Sequence, residues 1–263
     1  MNKRVLLVLS ILAVLVAASA LSGCTSTNTG TPSTGAGTGT GTITPTTAAS
    51  TAGSGGKITV TQTADKITIT GGKGEKMTSD KFPLSKDGWY IVKITFTGGD
   101  YSIFQSALGT QQMIDESEAI GGQLTNSLGT MTTAKILGKG SVNSDDYKIY
   151  IGSSDGQWTI EILKNPTGPL TTDTTFTGAS DKVTPFFHLN QGSASFTMHQ
   201  KLKSQYSSRL DVNLYNADTG TYVANLAHND DTPTLTASSD IPTSGNYVLE
   251  VIGGGDWDIS YTQ

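Results

Sequence analysis

Two stretches about a hundred residues apart repeat one another. Tyr147-Lys148-Ile149-Tyr150-Ile151, followed by Gly156-Gln157-Trp158-Thr159-Ile160, matches Tyr247-Val248-Leu249-Glu250-Val251, followed by Gly255-Asp256-Trp257-Asp258-Ile259. The offset is 100 at the tyrosines and 99 at the tryptophans. Both copies read as strand, glycine turn, strand. Upstream, Phe82 and Gly88 pair with Phe186 and Gly192 at an offset of 104, so the first copy carries about four or five extra residues between these landmarks. Around them, short runs of Ile, Val, Thr, Tyr and Phe alternate with polar residues and are broken by Gly, Asp, Asn and Ser. This pattern predicts an all-β fold of two tandem antiparallel β-sandwich domains. We place them at 57–164 and 171–263, with Asn165-Pro166-Thr167-Gly168-Pro169 in a hinge over 165–170, because two prolines stop strand pairing. Gln111 to Ala119 reads either as one short helix, rich in carboxylates and stopped by Gly121-Gly122, or as a polar strand or loop.

The single cysteine excludes a disulfide framework or a thiol-based zinc site within the chain. Lys and Arg number 17 against 22 Asp and Glu, a net charge of −5. That balance repels a phosphate backbone, and no nucleic-acid partner is expected.

The N-terminus reads as an address. Met1 to Arg4 is basic, and Val5 to Leu21 is apolar apart from Ser10 and Ser19, as in a secretory signal over residues 1–23. An uncleaved anchor is the other reading, since this run of 17 residues lies at the short edge of a membrane span. Leu21-Ser22-Gly23-Cys24 resembles the lipobox of prokaryotic lipoproteins. The resemblance implies cleavage between Gly23 and Cys24, a thioether-linked lipid on Cys24, and an extracytoplasmic chain held to the cell membrane. From Thr25 to Gly56 there is no charge and one large aliphatic residue, Ile43, so residues 24–56 read as a lipidated cysteine with a disordered tether. Such a tether spans about 30 Å root-mean-square.

In the second half, Leu210-Asp211-Val212-Asn213-Leu214-Tyr215-Asn216-Ala217-Asp218-Thr219-Gly220 runs a strand into a tight turn, and Ser244-Gly245-Asn246-Tyr247 opens a further hairpin arm. This arrangement resembles the pre-peptidase C-terminal type of domain and related small jelly-roll sandwiches. The first half has Gln105-Ser106-Ala107-Leu108-Gly109 in place of that turn. The resemblance implies an accessory binding or solubility role and no reaction.

Alternation also assigns faces. Tyr90, Val92, Ile94 and Phe96 match Ala194, Phe196 and Met198 as core, while Trp89, Ile91 and Lys93 point the other way where the twin has Ser193, Ser195 and Thr197. Tyr150 is likewise out of phase with the core, and its twin is Glu250. Trp89, Ile91 and Tyr150 are therefore the candidate partner-binding set, or else they are covered by the other domain. Trp158 and Trp257 share faces with Ile160 and Ile259 and read as core.

For metal, Asn216 and Asp218 together with Asp230 and Asp231 form the best candidate calcium cluster, against a reading as solvated hairpin tips; no other cofactor is expected. Gly152-Ser153-Ser154-Asp155-Gly156 fits the G-x-S-x-G pattern, but it lies between two strands rather than at a strand-to-helix turn. His188, His199 and His228 have no partner that sequence can place beside Ser154. The chain is thus expected not to be an enzyme. It reads as a membrane-anchored protein displaying binding modules for an envelope polysaccharide or protein, with a ligand-free spacer as the alternative and a hydrolase as a remote one.

Overall fold

The structure is a computed structural model that describes residues 46–49, 57–98, 104–109, 119–121, 130–142, 147–201, 210–230 and 232–263. All of these lie within the unit Ile43–Gln263. Among the described residues the first half has ten strands: β1 (Thr46–Ala49), β2 (Thr59–Gln62), β3 (Lys66–Gly71), β4 (Gly74–Thr78), β5 (Tyr90–Thr97), β6 (Phe104–Gly109), β7 (Ala119–Gly121), β8 (Thr130–Leu137), β9 (Lys148–Ser154) and β10 (Gln157–Lys164). Ten more follow: β11 (Leu170–Thr171), β12 (Thr175–Gly178), β13 (Lys182–Val183), β14 (Phe186–Leu189), β15 (Gly192–Lys201), β16 (Leu210–Asn216), β17 (Thr221–Asp230), β18 (Thr234–Ile241), β19 (Gly245–Ile252) and β20 (Asp256–Thr262). No helix occurs among the described residues. The segment 111–118, read above as helix or loop, lies outside them, and Ala119 opens β7.

Strand order identifies the fold. In the first half one sheet runs β1-β2-β3-β10-β5-β8 and the other β4-β9-β6-β7. From β3 onward the pairings are nested: β3 with β10, β4 with β9, β5 with β8, β6 with β7. A long antiparallel hairpin folded over on itself in this way is a jelly roll of two four-stranded sheets. The second half repeats the nest, with β12-β20-β15-β18 as one sheet and β11-β14-β19-β16-β17, joined by β13 on β19, as the other.

The two jelly rolls agree in side-chain detail. Each encloses its own apolar cluster, the first holding Ile69, Val92, Ile94 and Ile160 and the second Phe176, Phe196, Met198 and Ile259, all almost wholly buried. Burying each such side chain contributes about 1.5–3 kcal/mol. Trp158 and Trp257 are core residues, and their indole Nε1 groups donate to the carbonyls of Gly72 and Ser180 at 3.1 and 3.0 Å. Each ring lies flat against a glycine, Gly71 or Gly178, where an added Cβ would overlap the indole. A buried hydroxyl is duplicated as well: Ser79 Oγ accepts the Ile149 N–H at 2.9 Å and Thr184 Oγ1 the Leu249 N–H at 3.0 Å.

Two sequence expectations need correction. The tether read as disordered contains β1, which pairs antiparallel with β2 from Thr46 opposite Gln62 to Ala49 opposite Thr59. The twin of Phe82, which bridges Tyr147, is Phe187 opposite Tyr247, and not Phe186. Along a strand a shift of one residue changes the face, so Phe187 enters the core while Phe186 points out of it.

Candidate functional site

Trp89 and Ile91 face away from the core, as their phase requires, but they are not exposed. They join Ile136 and Leu163 in a third apolar cluster with Ala217, Val248, Val183, Phe186 and Tyr215 of the second jelly roll. Trp89 meets the Phe186 ring edge-on at 6.4 Å. Gly220, with a φ of +71°, lies directly on the indole, and a Cβ there would overlap Trp89 Cβ and Cγ. The Gly220 carbonyl also accepts the Lys139 N–H at 2.9 Å. From the hinge, Asn165 brackets Trp89 on its other side: its Oδ1 accepts the Trp89 N–H at 3.0 Å and its own N–H donates to the Trp89 carbonyl at 2.8 Å. This double contact explains why Asn165 holds a left-handed φ of +42°.

Tyr150 does not join this set. It lies on β9, in the opposite sheet of the first jelly roll from Trp89 and Ile91, and is buried; its strand pairs with β4 and β6. Of the two readings, cover by the second jelly roll holds for Trp89 and Ile91, while Tyr150 lies in the other sheet and is buried there.

The twin of Tyr150 carries the polar chemistry of the seam. Glu250 is 3% exposed, and its carboxylate accepts the Ile136 N–H of β8 at 2.8 Å and the Asn213 side-chain amide at 3.1 Å. Burial raises the Glu250 carboxyl above its ordinary value and Asp181 adds to this, while the two hydrogen bonds and the Lys135 charge oppose it. Asp181, which accepts the Gly253 N–H at 3.0 Å, is also raised by burial. Burial and the Glu250 charge push the Tyr215 phenol up. A carboxyl whose folded pKa exceeds its unfolded one binds more protons when folded. Its contribution is then fully present below the unfolded pKa near 4.5 and lost as pH rises through the folded value. In chemical denaturation the wild-type chain should lose stability between mildly acidic and neutral pH relative to Glu250→Gln, with Asp181 leaving a slope of the same sign in the variant. Identical slopes in both would remove Glu250 as the cause.

The candidate calcium ligands do not converge. In the β16–β17 hairpin Asn216 pairs with Thr221, whereas Asp230 pairs with Leu210 at the far end. About six residues at ~3.4 Å each separate the two ends by roughly 20 Å. Asn216 Oδ1 is engaged by the N–H groups of Asp218 and Thr219 and by the Thr219 hydroxyl, and the Asp218 carboxylate holds the Asn246 N–H and side-chain amide. Asp231 lies outside the described residues. Among those residues no group of three or more His, Cys, Asp and Glu is placed to share an ion.

Ser154 closes the β9–β10 hairpin, its hydroxyl donating to the Gly156 carbonyl at 3.0 Å. The histidines belong to the second jelly roll: His199 contacts the Thr234 hydroxyl at 3.0 Å, His228 contacts Asp211 at 2.9 Å, and His188 is exposed on β14. Gly23 and Cys24, with the rest of the signal and lipobox, lie outside the described residues. Among the described residues no helix is long and apolar enough to cross a membrane.

An open groove that sequence reasoning missed lies on the outer face of the first sheet. It has a volume of about 550 Å³ and lies over β3, β10 and β5, between Lys57 and Lys73 on one side and Thr95 and Thr97 on the other.

No protein-family model matches the chain. No curated protein matches it either. Solved structures show distant likenesses. The tandem CBM22-1-CBM22-2 domain of Xyn10C from Paenibacillus barcinonensis is 10% identical, with a TM-score of 0.27 over 81% of this chain and 92% of that one. The ANXUR1 extracellular domain from Arabidopsis thaliana is 8% identical, with a TM-score of 0.27 over 74% of this chain and 84% of that one. The glycoside hydrolase domain of Endo-D from Streptococcus pneumoniae R6 is 12% identical, with a TM-score of 0.24 over 82% of this chain and 36% of that one. At these TM-scores the likenesses assign neither ligand nor activity to this chain.

Proposed function

We propose that the chain is a lipid-anchored extracytoplasmic protein that presents its two jelly rolls as one rigid, non-catalytic binding module. The observation that carries this reading is the seam. Trp89, Ile91 and Ile136 are buried against Ala217 and Val248, and a Glu250 carboxylate reaches across to the backbone of β8, so apolar packing and a buried hydrogen bond both join the pair. The address supports the rest: Leu21-Ser22-Gly23-Cys24 supplies the thiol to be lipidated, and the Thr- and Gly-rich stretch after it lifts the module from the headgroups.

Mass spectrometry of the protein from its native membrane tests the anchor. The mature chain is expected to begin at Cys24 with a thioether-linked lipid, and Cys24→Ser to accumulate as uncut precursor. An intact N-terminus upstream of Leu21 in the wild type would establish the uncleaved anchor instead. The burial of Trp89 and Ile91 favours one competing reading, a spacer whose rigidity is its whole role. Retention of a defined envelope polymer by the purified full chain separates the two, and failure to retain any favours the spacer.

A further inference from the structure

The outer face of the first sheet changes character along its strands. At one end Ile91, Ile136 and Leu163 lie beneath the second jelly roll. Toward the other end the same face turns to threonine. Thr59, Thr70, Thr159, Thr95 and Thr132 stand in one cross-strand row through β2, β3, β10, β5 and β8. The first three are half-buried, and Thr95 and Thr132 are exposed. With strands ~4.8 Å apart the row is roughly 19 Å long. The groove described above opens over its centre, and Lys57, Lys73 and Gln157 are among the residues that line it. Among the described residues its lining contains no carboxylate, although the chain as a whole has a net charge of −5. Glu161, two residues along β10 from Thr159, is held in an ion pair with Lys66 at 2.9 Å. The second jelly roll has lost this arrangement. Counting from the paired core residues Ile160 with Ile94 and Ile259 with Met198, Asp258 stands where the first has Thr159, and His199 where it has Thr95.

We infer that this groove binds a stretch of acidic polysaccharide, a reading that rests on the binding-module proposal and deepens it. Threonine hydroxyls and the Gln157 amide both donate and accept, as a sugar's hydroxyls require, and the threonine methyls offer small apolar contacts to the sugar ring. The two ammonium groups supply charge-assisted bonds to carboxylates spaced along a polymer. A shallow row crossing five strands suits an extended chain, whereas a monosaccharide would contact only part of it. Among the described residues, the second jelly roll covers only the apolar end of this face.

The test uses the full chain purified in detergent, with polygalacturonate, its neutral methyl ester and poly(glycerol phosphate) as probes, by calorimetry at low and high salt. Polygalacturonate is expected to bind, more weakly in high salt, with the methyl ester about tenfold or more weaker. Thr159→Asp, which copies the twin position, and the pair Lys57→Glu with Lys73→Glu should each weaken it by about tenfold or more with little change in melting temperature. Lys86→Glu, in a separate cavity at the Tyr90 end of the sandwich, should leave it unchanged. No binding of polygalacturonate, equal affinity for its methyl ester, undiminished binding by Thr159→Asp, or preference for poly(glycerol phosphate) would each overturn the inference. An envelope polymer retained equally by wild type and Thr159→Asp would remove the groove and leave the display reading standing. An unlipidated N-terminus would do the reverse.

Discussion

Substituting valine for Gly220 is expected to separate the two jelly rolls while leaving each folded. The residue sits in the β16–β17 turn with a φ of +71° and lies against Trp89, so the new side chain meets two obstacles at once. Forcing extra atoms into a packed site costs about 1–3 kcal/mol, and holding a β-branched residue in the left-handed region costs about 1–3 kcal/mol more. The cheapest relief for both is to withdraw the turn from the indole, which breaks the Lys139 to Gly220 hydrogen bond and opens the seam. Calorimetry should then show two transitions where the parent shows one, with the earlier shifted downward. A single transition at the parental temperature would mean that the seam does not couple the two halves.

The second large effect is expected from Trp89→Ala. A tryptophan left 3% exposed loses about 3–5 kcal/mol on truncation in a packed core, and here the cavity would open beside Phe186, Gly220 and the Asn165 hinge. This variant is thus a poor probe of binding, since any loss of a partner would follow from loss of the seam. Urea denaturation is the direct check. An unchanged midpoint and slope would mean that the indole contributes no packing, and would restore Trp89 as a candidate for surface recognition.

These two expectations show where sequence reasoning stopped. Alternation found that Trp89 and Ile91 face away from the core, because that depends only on neighbours along one strand. What covers them depends on the second jelly roll, more than a hundred residues away in Ala217 and Val248. The repeat was legible through Tyr147 and Tyr247 and through Trp158 and Trp257, since the members of each pair hold equivalent places in their own cores and each indole lies against a glycine. The candidate calcium cluster failed for a matter of register: Asn216 and Asp230 are close in sequence but lie at opposite ends of one hairpin. The threonine row is hidden for the same reason in reverse. Its members run from Thr59 to Thr159 and fall into line only when five strands are paired, and each alone is an ordinary residue for an exposed strand position. Glu250 did leave a trace, as a lone charge inside an otherwise apolar run.

That carboxylate also bears on self-association. β8 ends its sheet, and a terminal strand with unpaired backbone donors is a template on which another chain can add a strand. Here the Ile136 donor is taken by a side chain from the neighbouring domain, within the apolar seam. Because a carboxylate has no backbone ladder of its own to pass on, the hydrogen-bond chain terminates at Glu250. At this point of the edge, a strand added by another molecule would find the donor already taken.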